Sequence, residues 1–357
     1  MKKTKQTKIK VAILGATGAV GQRFITLLAN HPWFEVAELV ASERSAGKSY
    51  GQVVHWLDAQ PIPEKIGALT VKLPSDKLTS RWLFSGLDAA VAGDIEADYA
   101  KKGHIVISNS KNHRMERDVP LVVPEANADH LEAAVQQLSV KHGAIITNPN
   151  CVVAILAAAL APLHQAFKLT KVMVTSLQAI SGAGYPGVAA WDLASNVLPF
   201  IKDEEPKVEG ELAKILGTYK AGQGFSNADF KVSASCYRVP VLQGHSLSVS
   251  IATQKKASQE DILAAWRKAK VCPKLPSSPK ELIHYYTEAC RPQPLLDVML
   301  GDGMTVSAGR LRKCSVLDWK FSLLGHNTIR GAAGGAVLNA EYLLWRLQNM
   351  ATKPCIL

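Results

Sequence analysis

Residues 8–21 read Lys8-Ile9-Lys10-Val11-Ala12-Ile13-Leu14-Gly15-Ala16-Thr17-Gly18-Ala19-Val20-Gly21, and Gln22 to Asn30 follow with Phe24, Leu27 and Leu28 at helical spacing. An apolar strand that breaks into glycines and reopens as a helix is the setting in which a dinucleotide-binding fingerprint has meaning. Gly15 permits the tight turn, Gly18 lets the backbone approach a pyrophosphate, and Gly21 lets the helix pack close to the strand. Thr17, Ala19 and Val20 fill the turn between them. Glycine spacing alone also occurs in structural loops; the flanking strand and helix select the cofactor reading.

Outward from this stretch the chain alternates. Phe34 to Ala41 is the next strand, ending in Ser42-Glu43-Arg44-Ser45-Ala46-Gly47-Lys48. A carboxylate here suits a ribose 2′-hydroxyl, whereas cations and small hydroxyls suit a 2′-phosphate. Glu43 is surrounded by Ser42, Arg44, Ser45 and Lys48, which favours NADP over NAD; a merely solvated loop is the other reading. Trp82 to Ser85 forms a short strand before Gly86, and Asp88 to Lys101 reads as its helix. His104 to Asn109 is a further strand, and Lys111, Asn112 and Arg114 present cations and an amide at its end. Leu121 to Glu125 and Ala144 to Asn148 complete the series, which predicts an N-terminal Rossmann-like, doubly wound parallel sheet of the α/β class.

The last of these strands runs through Asn148-Pro149-Asn150 into Cys151 and then Val152 to Leu163, an Ala/Leu-rich run that reads as a buried helix. Cys151 opens that helix, where unpaired N–H groups and the macrodipole favour a thiolate. A buried small hydrophobe is the bland alternative. Beyond it the texture becomes mixed. Lys171 to Gln178 reads as a strand, Ala179 to Gly187 as a glycine-rich loop, and Asp203 to Leu216 as a helix. Lys231 to Arg238 and Leu247 to Thr253 read as strands around Val239 to His245. Gln259 to Val271 is an amphipathic helix, and Asp302 to Arg312 and Val316 to Leu324 are late strands. This predicts a second, α+β domain. The small residues from Gly331 to Gly335 open a last helix that is expected to return to the first domain.

The 357 residues suffice for two cores, and 47% hydrophobic with 20% charged residues is ordinary globular composition. The longest apolar run is too short for a membrane span. Met1 to Lys10 carries five lysines without an apolar segment, which reads as a basic tail and not a secretory signal. The six cysteines show no C-x-x-C pair and no metal-ligand spacing, so no metal site and a reducing, cytoplasmic compartment are expected. The net charge of +11 is spread along the chain without an RNA-binding signature, which points to anionic small molecules and away from nucleic acid.

The glycine turn, Asn150-Cys151, Leu177 to Gly184, Arg238 with His245 seven residues on, and His326-Asn327-Thr328-Ile329-Arg330-Gly331-Ala332-Ala333-Gly334 together resemble the aspartate-semialdehyde dehydrogenase family, its archaeal and fungal branch. The resemblance implies NADPH-dependent conversion of L-4-aspartyl phosphate to L-aspartate 4-semialdehyde, on the way to lysine, threonine, methionine and isoleucine. By that resemblance Cys151 is the nucleophile, His245 the general acid/base and Gln178 the active-site glutamine. Arg238 is expected to hold the substrate carboxylate, Glu204 its ammonium, and Lys207, Lys111, Asn112 and Arg114 its anionic groups. Ser85, Gly182 and Asn327 join Gly15, Thr17, Gly18, Ala19, Val20, Gly21, Ser42, Arg44 and Ser45 as cofactor candidates.

The implied organisation is an NADP-binding domain over 1–150, completed by a C-terminal helix in 327–357, and a catalytic and dimerisation domain over 151–326, in a homodimer or homotetramer. Val152-Val153, Tyr237 and Ser246 stand where the branch commonly carries hydroxyl, Asn and Thr residues. An acyl-thioester reductase of the malonyl-CoA reductase kind and a catalytically silent NADP-binding relative share the scaffold; Glu204 speaks against the first, and Cys151 with His245 against the second.

Overall fold

The structure is a computed structural model that describes residues 7–272 and 275–351. The first six residues of the basic tail, the end of the C-terminal segment from 352 on, and Cys355 lie outside the described residues.

Strands β1 (Ile9–Leu14), β2 (Phe34–Val40), β3 (Val71–Lys72), β4 (Trp82–Ser85), β5 (Ile105–Ser108) and β6 (Ala144–Thr147) form one parallel sheet in the order β3-β2-β1-β4-β5-β6. The alternation of β1 assigns its faces. Val11 and Ile13 pack with Phe24, Ile25 and Leu28 of the Ala19–Leu28 helix and with Ala336, Val337 and Ala340 of the Gly334–Ala351 helix. Ala12 and Leu14 pack on the other face with Tyr99 of the Ala89–Lys101 helix. Helices therefore cover both faces, the doubly wound arrangement that continuous apolar strands require. The last helix joins the first core through its small residues.

Registers bring Val40, Leu14, Ser85, Ser108 and Thr147 into one row at the carboxyl edge. Every stretch singled out in the first half of the sequence leaves the sheet from that row. The order reverses between β1 and β4, and this switch point is where an open α/β sheet offers a ligand crevice.

Two readings are corrected. Leu121 to Glu125 adds no strand: Leu121 makes a single bridge to Thr147, and Pro124 opens a short helix, Pro124–Asn127. Pro120 and Pro124 bracket the segment and neither has an N–H to give a ladder. The first helix starts at Ala19 with Gly18 as its N-cap, earlier than the spacing from Gln22 suggested.

The second sheet contains β7 (Leu169–Gln178) and, after the small hairpin β8 (Thr218–Lys220) and β9 (Gly224–Ser226), β10 (Lys231–Arg238), β11 (His245–Thr253), β12 (Ile283–Tyr286), β13 (Val306–Lys313) and β14 (Trp319–Gly325). Its order is β10-β7-β11-β14-β13-β12. Strands β10 and β11 do not pair with each other: β7 lies between them, parallel to β10 and antiparallel to β11. One face carries the Cys151–Phe167 helix, whose Val152 to Leu160 pack with Val172, Val174, Val249, Ile251 and Phe321. From Val152 to Ala161 that helix is apolar all round because it is surrounded there.

Glu38 on β2 ties down the loop that follows β3. It is 7% exposed and accepts from Lys72 Nζ at 2.8 Å and from the Ser80 N–H at 2.7 Å. Burial alone would raise its pKa; the Lys72 ammonium and the Ser80 and Thr79 donors override that and bring it from 4.5 down to about 2. A depressed carboxylate stabilises the fold fully above its unfolded pKa and loses that contribution as pH falls toward its folded one. Glu38→Gln is expected to cost about 3 kcal/mol at neutral pH. In urea unfolding the gap to wild type should shrink by about half near pH 3. A gap that does not change with pH would mean the carboxylate's charge is not what holds the loop.

Candidate active site

Four strand ends meet at one edge of the second sheet. Gln178 closes β7 and Arg238 closes β10, paired in register, while His245 opens β11 opposite Gly325 at the end of β14. Gly244 before His245 adopts φ +94°, which only glycine takes readily, and this turn aims the imidazole inward. The Cys151–Phe167 helix begins at the same point. Cys151 Sγ lies 3.1 Å from His245 Nε2.

The helix start is braced by side chains. Asn150 caps it, accepting from the N–H groups of Val152 at 2.9 Å and Val153 at 3.4 Å. Its Nδ2 donates to Glu204 Oε1 at 2.6 Å, and its own N–H donates to Glu211 Oε2 at 2.7 Å. Gln178 Nε2 also donates to Glu204 Oε1, at 3.2 Å, and Lys207 Nζ to Glu204 Oε2, at 3.2 Å. Arg114 is buried and donates to Glu211 Oε1 at 2.9 Å and to Asn109 O at 2.7 Å. Arg238 Nη1 donates to Ala179 O at 2.7 Å.

The electrostatics differ from the expectation of a helix-stabilised thiolate. Burial pushes the Cys151 thiol up to about 12 and the Glu204 charge adds to this, against the pull of Arg238 and Arg114. The Val152 N–H at the helix start, shared with Asn150 Oδ1, also pulls the thiol down, but burial outweighs it. His245 moves the other way, down to about 3, through burial and then the positive neighbours Arg238 and His326. Both shifts run toward the uncharged forms, thiol and imidazole.

Backbone passes very close to this pair. A Cβ on Gly182 would lie 2.8 Å from Arg238 Nη1 and 3.0 Å from His245 Cε1. One on Gly331 would lie 2.7 Å from Cys151 Cβ. Asn327 links the segments: its Oδ1 accepts from the Gly244 N–H at 2.9 Å, and its Nδ2 donates to Ser181 Oγ at 2.9 Å.

The glycine turn of the first sheet has the form a dinucleotide pyrophosphate needs. Gly15 has φ +72° and sits so close to Gly86 that a Cβ would reach its carbonyl oxygen at 2.8 Å, while a Cβ on Gly21 would meet Gly15 O at 2.2 Å. Gly18 caps the Ala19–Leu28 helix with no side chain, so that side chains leave the first-turn N–H groups open to a phosphate. A cavity of about 280 Å³ joins this helix to the loop of the second unit, lined by Ala19, Arg23, Ile180, Ser181, Tyr185 and Thr328. Ser42 and Arg44 are exposed after β2, and Ser45 is buried. Ser85 lies beneath the crevice, fully buried.

These residues match known families over both halves. Residues 10–134 match the family described as semialdehyde dehydrogenase, NAD binding domain, and residues 160–330 that described as semialdehyde dehydrogenase, dimerisation domain. The chain is 44% identical over 341 residues to the aspartate-semialdehyde dehydrogenase of Archaeoglobus fulgidus, covering 94% of this chain and 98% of that one. The chain belongs to the aspartate-semialdehyde dehydrogenase family. The family's Schizosaccharomyces pombe enzyme is 44% identical over 345 residues, with 93% and 97% covered. A crystal structure of the Candida albicans aspartate-semialdehyde dehydrogenase with NADP superposes with a TM-score of 0.87 at 42% identity, covering 95% of this chain and 99% of that one.

Of the residues that the resemblance to aspartate-semialdehyde dehydrogenase singled out, the fold gathers Cys151, His245, Gln178, Arg238, Glu204 and Lys207 around one point, with Arg114 attached through Glu211. Lys111 and Asn112 stay at the surface, the first paired with Asp203 and the second donating to Ala89 O. Glu211 was missed. It lies seven residues after Glu204, two turns on along the same face, and that spacing was the available signal.

Proposed function

We propose that the chain catalyses the NADPH-dependent reductive dephosphorylation of L-4-aspartyl phosphate to L-aspartate 4-semialdehyde through a thioester on Cys151, a step in amino-acid biosynthesis. The observation that carries this is the 3.1 Å contact of Cys151 Sγ with His245 Nε2 beside Gln178, Arg238 and Glu204. Sulfur attacks the acyl carbon and phosphate leaves, which gives a thioester. Bound NADPH supplies the hydride that reduces it. Gln178 and His245 donate to the oxygen that gains charge, and collapse of the thiohemiacetal frees the aldehyde.

In this reading Arg238 holds the α-carboxylate and Glu204 the α-ammonium. Lys207 and Arg114, with Lys111 and Asn112 from the surface, would bind the substrate's anionic groups. Thr17 to Gly21 would hold the pyrophosphate, Ser42, Arg44 and Ser45 the 2′-phosphate, and Ser85, Gly182 and Asn327 would line the nicotinamide end. The assay is NADP reduction by aspartate semialdehyde with and without phosphate; turnover that ignores phosphate would overturn the acyl-phosphate reading. Glu204→Gln should raise the KM for aspartate semialdehyde by about tenfold or more, since it removes the charge that pairs with the ammonium. An unchanged KM would favour a thioester-reductase substrate without an amino group.

We further propose domains over 1–150 and 151–326, with 327–357 returning to the first, and a homodimer or homotetramer built through the second sheet. Its outer face leaves Met173 and Leu177 nearly half exposed, and the matched family region is described as a dimerisation domain. Five described cysteines are free, which supports a cytoplasmic setting. No described helix is long and apolar enough to cross a membrane.

A further inference from the structure

The Glu204–Ile215 helix carries charged residues at 204, 207, 211 and 214, a spacing that keeps them on one stripe. Glu204 and Lys207 belong to the proposed substrate pocket. The second half of the stripe touches no proposed substrate group, yet it is buried more deeply, with Glu211 2% and Lys214 3% exposed. Charges so far from water are costly unless they are paired and hydrogen-bonded. Where these two spend their polar atoms therefore shows what they hold.

Both hold the loop that carries Arg114. Lys214 Nζ donates to Arg114 O at 2.7 Å, Glu116 O at 2.8 Å and Val119 O at 2.9 Å, which uses all three hydrogens of an ammonium. Glu211 divides its oxygens between two elements. Oε1 accepts from Arg114 Nη1 at 2.9 Å, and Oε2 accepts from the N–H of Asn150, the residue before Cys151, at 2.7 Å. Arg114 keeps a donor in reserve. Its Nη2 donates to Asn109 O at 2.7 Å, whereas its Nε is buried without a partner among the described residues.

We propose that Glu211 is a positioning residue for anion binding: its one carboxylate fixes the Arg114 guanidinium against the start of the Cys151–Phe167 helix, so that an anion held by Arg114 lies in register with the sulfur. That the anion is a phosphate rests on the acyl-phosphate reading above; the link between the two groups rests on geometry. A carboxylate is planar, and no rotatable bond separates its two acceptors, so it sets the offset between its partners. Neither a neutral nor a shorter side chain repeats this. In glutamine one oxygen becomes an NH2, which faces either the Asn150 N–H or the Arg114 guanidinium, donor against donor, whichever way the amide turns. Aspartate draws the carboxylate back by one methylene, out of reach of both partners at once.

The two carboxylates of the stripe divide the work. Glu204 grips Asn150 by its side chain, at 2.6 Å, and faces Gln178 and Lys207; Glu211 grips the same residue by its backbone and faces Arg114. Loss of Glu211 therefore leaves the proposed ammonium subsite in place and releases the anion subsite. The guanidinium and the sulfur also share one electrostatic neighbourhood, since Arg114 is among the charges that pull the Cys151 thiol down against its burial.

The test is protection of Cys151 by inorganic phosphate against iodoacetamide, followed at the Cys151 peptide in NADP-saturated protein. Phosphate should slow alkylation of the wild type. In Glu211→Gln the phosphate concentration for half protection should rise about tenfold or more, with NADP affinity within about twofold of wild type. Arg114→Gln should weaken phosphate at least as much, and adding Glu211→Gln to it should change the value by less than about twofold, because no guanidinium is left to position. A carboxylate that only stabilises the fold would leave half protection unchanged in Glu211→Gln, or would add its effect in full to that of Arg114→Gln. Either result overturns the proposal, as does wild-type protein that phosphate does not protect. If Glu211→Gln does not fold, Glu211→Asp, which keeps the buried charge, is read against Arg114→Gln in the same way. In the semialdehyde assay the KM for phosphate should rise while that for aspartate semialdehyde stays within about threefold; a rise confined to the semialdehyde would overturn the proposal. Alkylation needs no turnover, so protein that passes that arm without oxidising aspartate semialdehyde counts against the proposed reaction alone.

Discussion

Cys151→Ser is expected to lower phosphate-dependent turnover of aspartate semialdehyde by about 10⁴-fold or more, roughly 5 kcal/mol of barrier, while NADP affinity stays within about twofold. The exchange is small in space. Asn150 keeps its cap on Val152 and Val153, and Glu204 and Glu211 keep their holds on Asn150, so the helix start survives. The chemistry does not survive. A serine hydroxyl is far less acidic than a thiol, so the anion that attacks the acyl carbon is much harder to form at position 151. An oxygen ester is also a poorer hydride acceptor than a thioester. Turnover retained at more than about 1% of wild type would remove the covalent route, because general acid–base help and substrate positioning alone would then account for the rate.

Much of the scaffold was legible because apolar runs and glycines announce themselves. Ile9 to Leu14, Phe34 to Val40 and Ile105 to Ser108 are strands of mostly apolar residues, and Gly15, Gly18 and Gly21 mark the switch-point turn. Where the signal is weak the reading stops. Ile283–Tyr286 mixes His284 with two half-buried tyrosines and is a strand by virtue of pairing with β13, and Val71–Lys72 is too short for any periodicity. Gln178 and Arg238 could be placed at strand ends and His245 only in the connection before the next strand, which in fact begins at His245 and not at Leu247. That β7 lies between β10 and β11, and so brings all three to one edge, depends on pairing across distant segments.

The protonation states were the least legible feature. Helix position alone argues for a thiolate at Cys151, but burial by the surrounding elements and the Glu204 charge reverse that, and both come from segments far away in the chain. The same holds for Glu211, whose carboxylate joins Arg114 to the Asn150 backbone across separate segments.

Gly331→Ala is expected to lower kcat by about 10²-fold or more with only a modest loss of stability, about 1–3 kcal/mol. The added methyl would lie 2.7 Å from Cys151 Cβ and 2.9 Å from its Cα, and these atoms, unlike the tip of a long side chain, cannot turn away. Position 331 cannot retreat either. The preceding residue, Arg330, is 2% exposed and donates to both carboxylate oxygens of Glu125, at 2.7 and 3.0 Å, in a buried pair whose loss would leave an uncompensated charge. The Gly331 N–H donates to His326 O at 3.0 Å, which fixes the turn from its other end. The segment that yields is therefore the start of the Cys151–Phe167 helix, and a shift of a few tenths of an ångström there lengthens the 3.1 Å contact of Sγ with His245 Nε2. Thermal unfolding and NADP titration separate this from misfolding: a variant that folds and binds NADP but has lost kcat marks a displaced nucleophile. A variant with wild-type kcat would mean that the 326–333 turn gives way, and that the Arg330–Glu125 pair does not hold it against the cysteine.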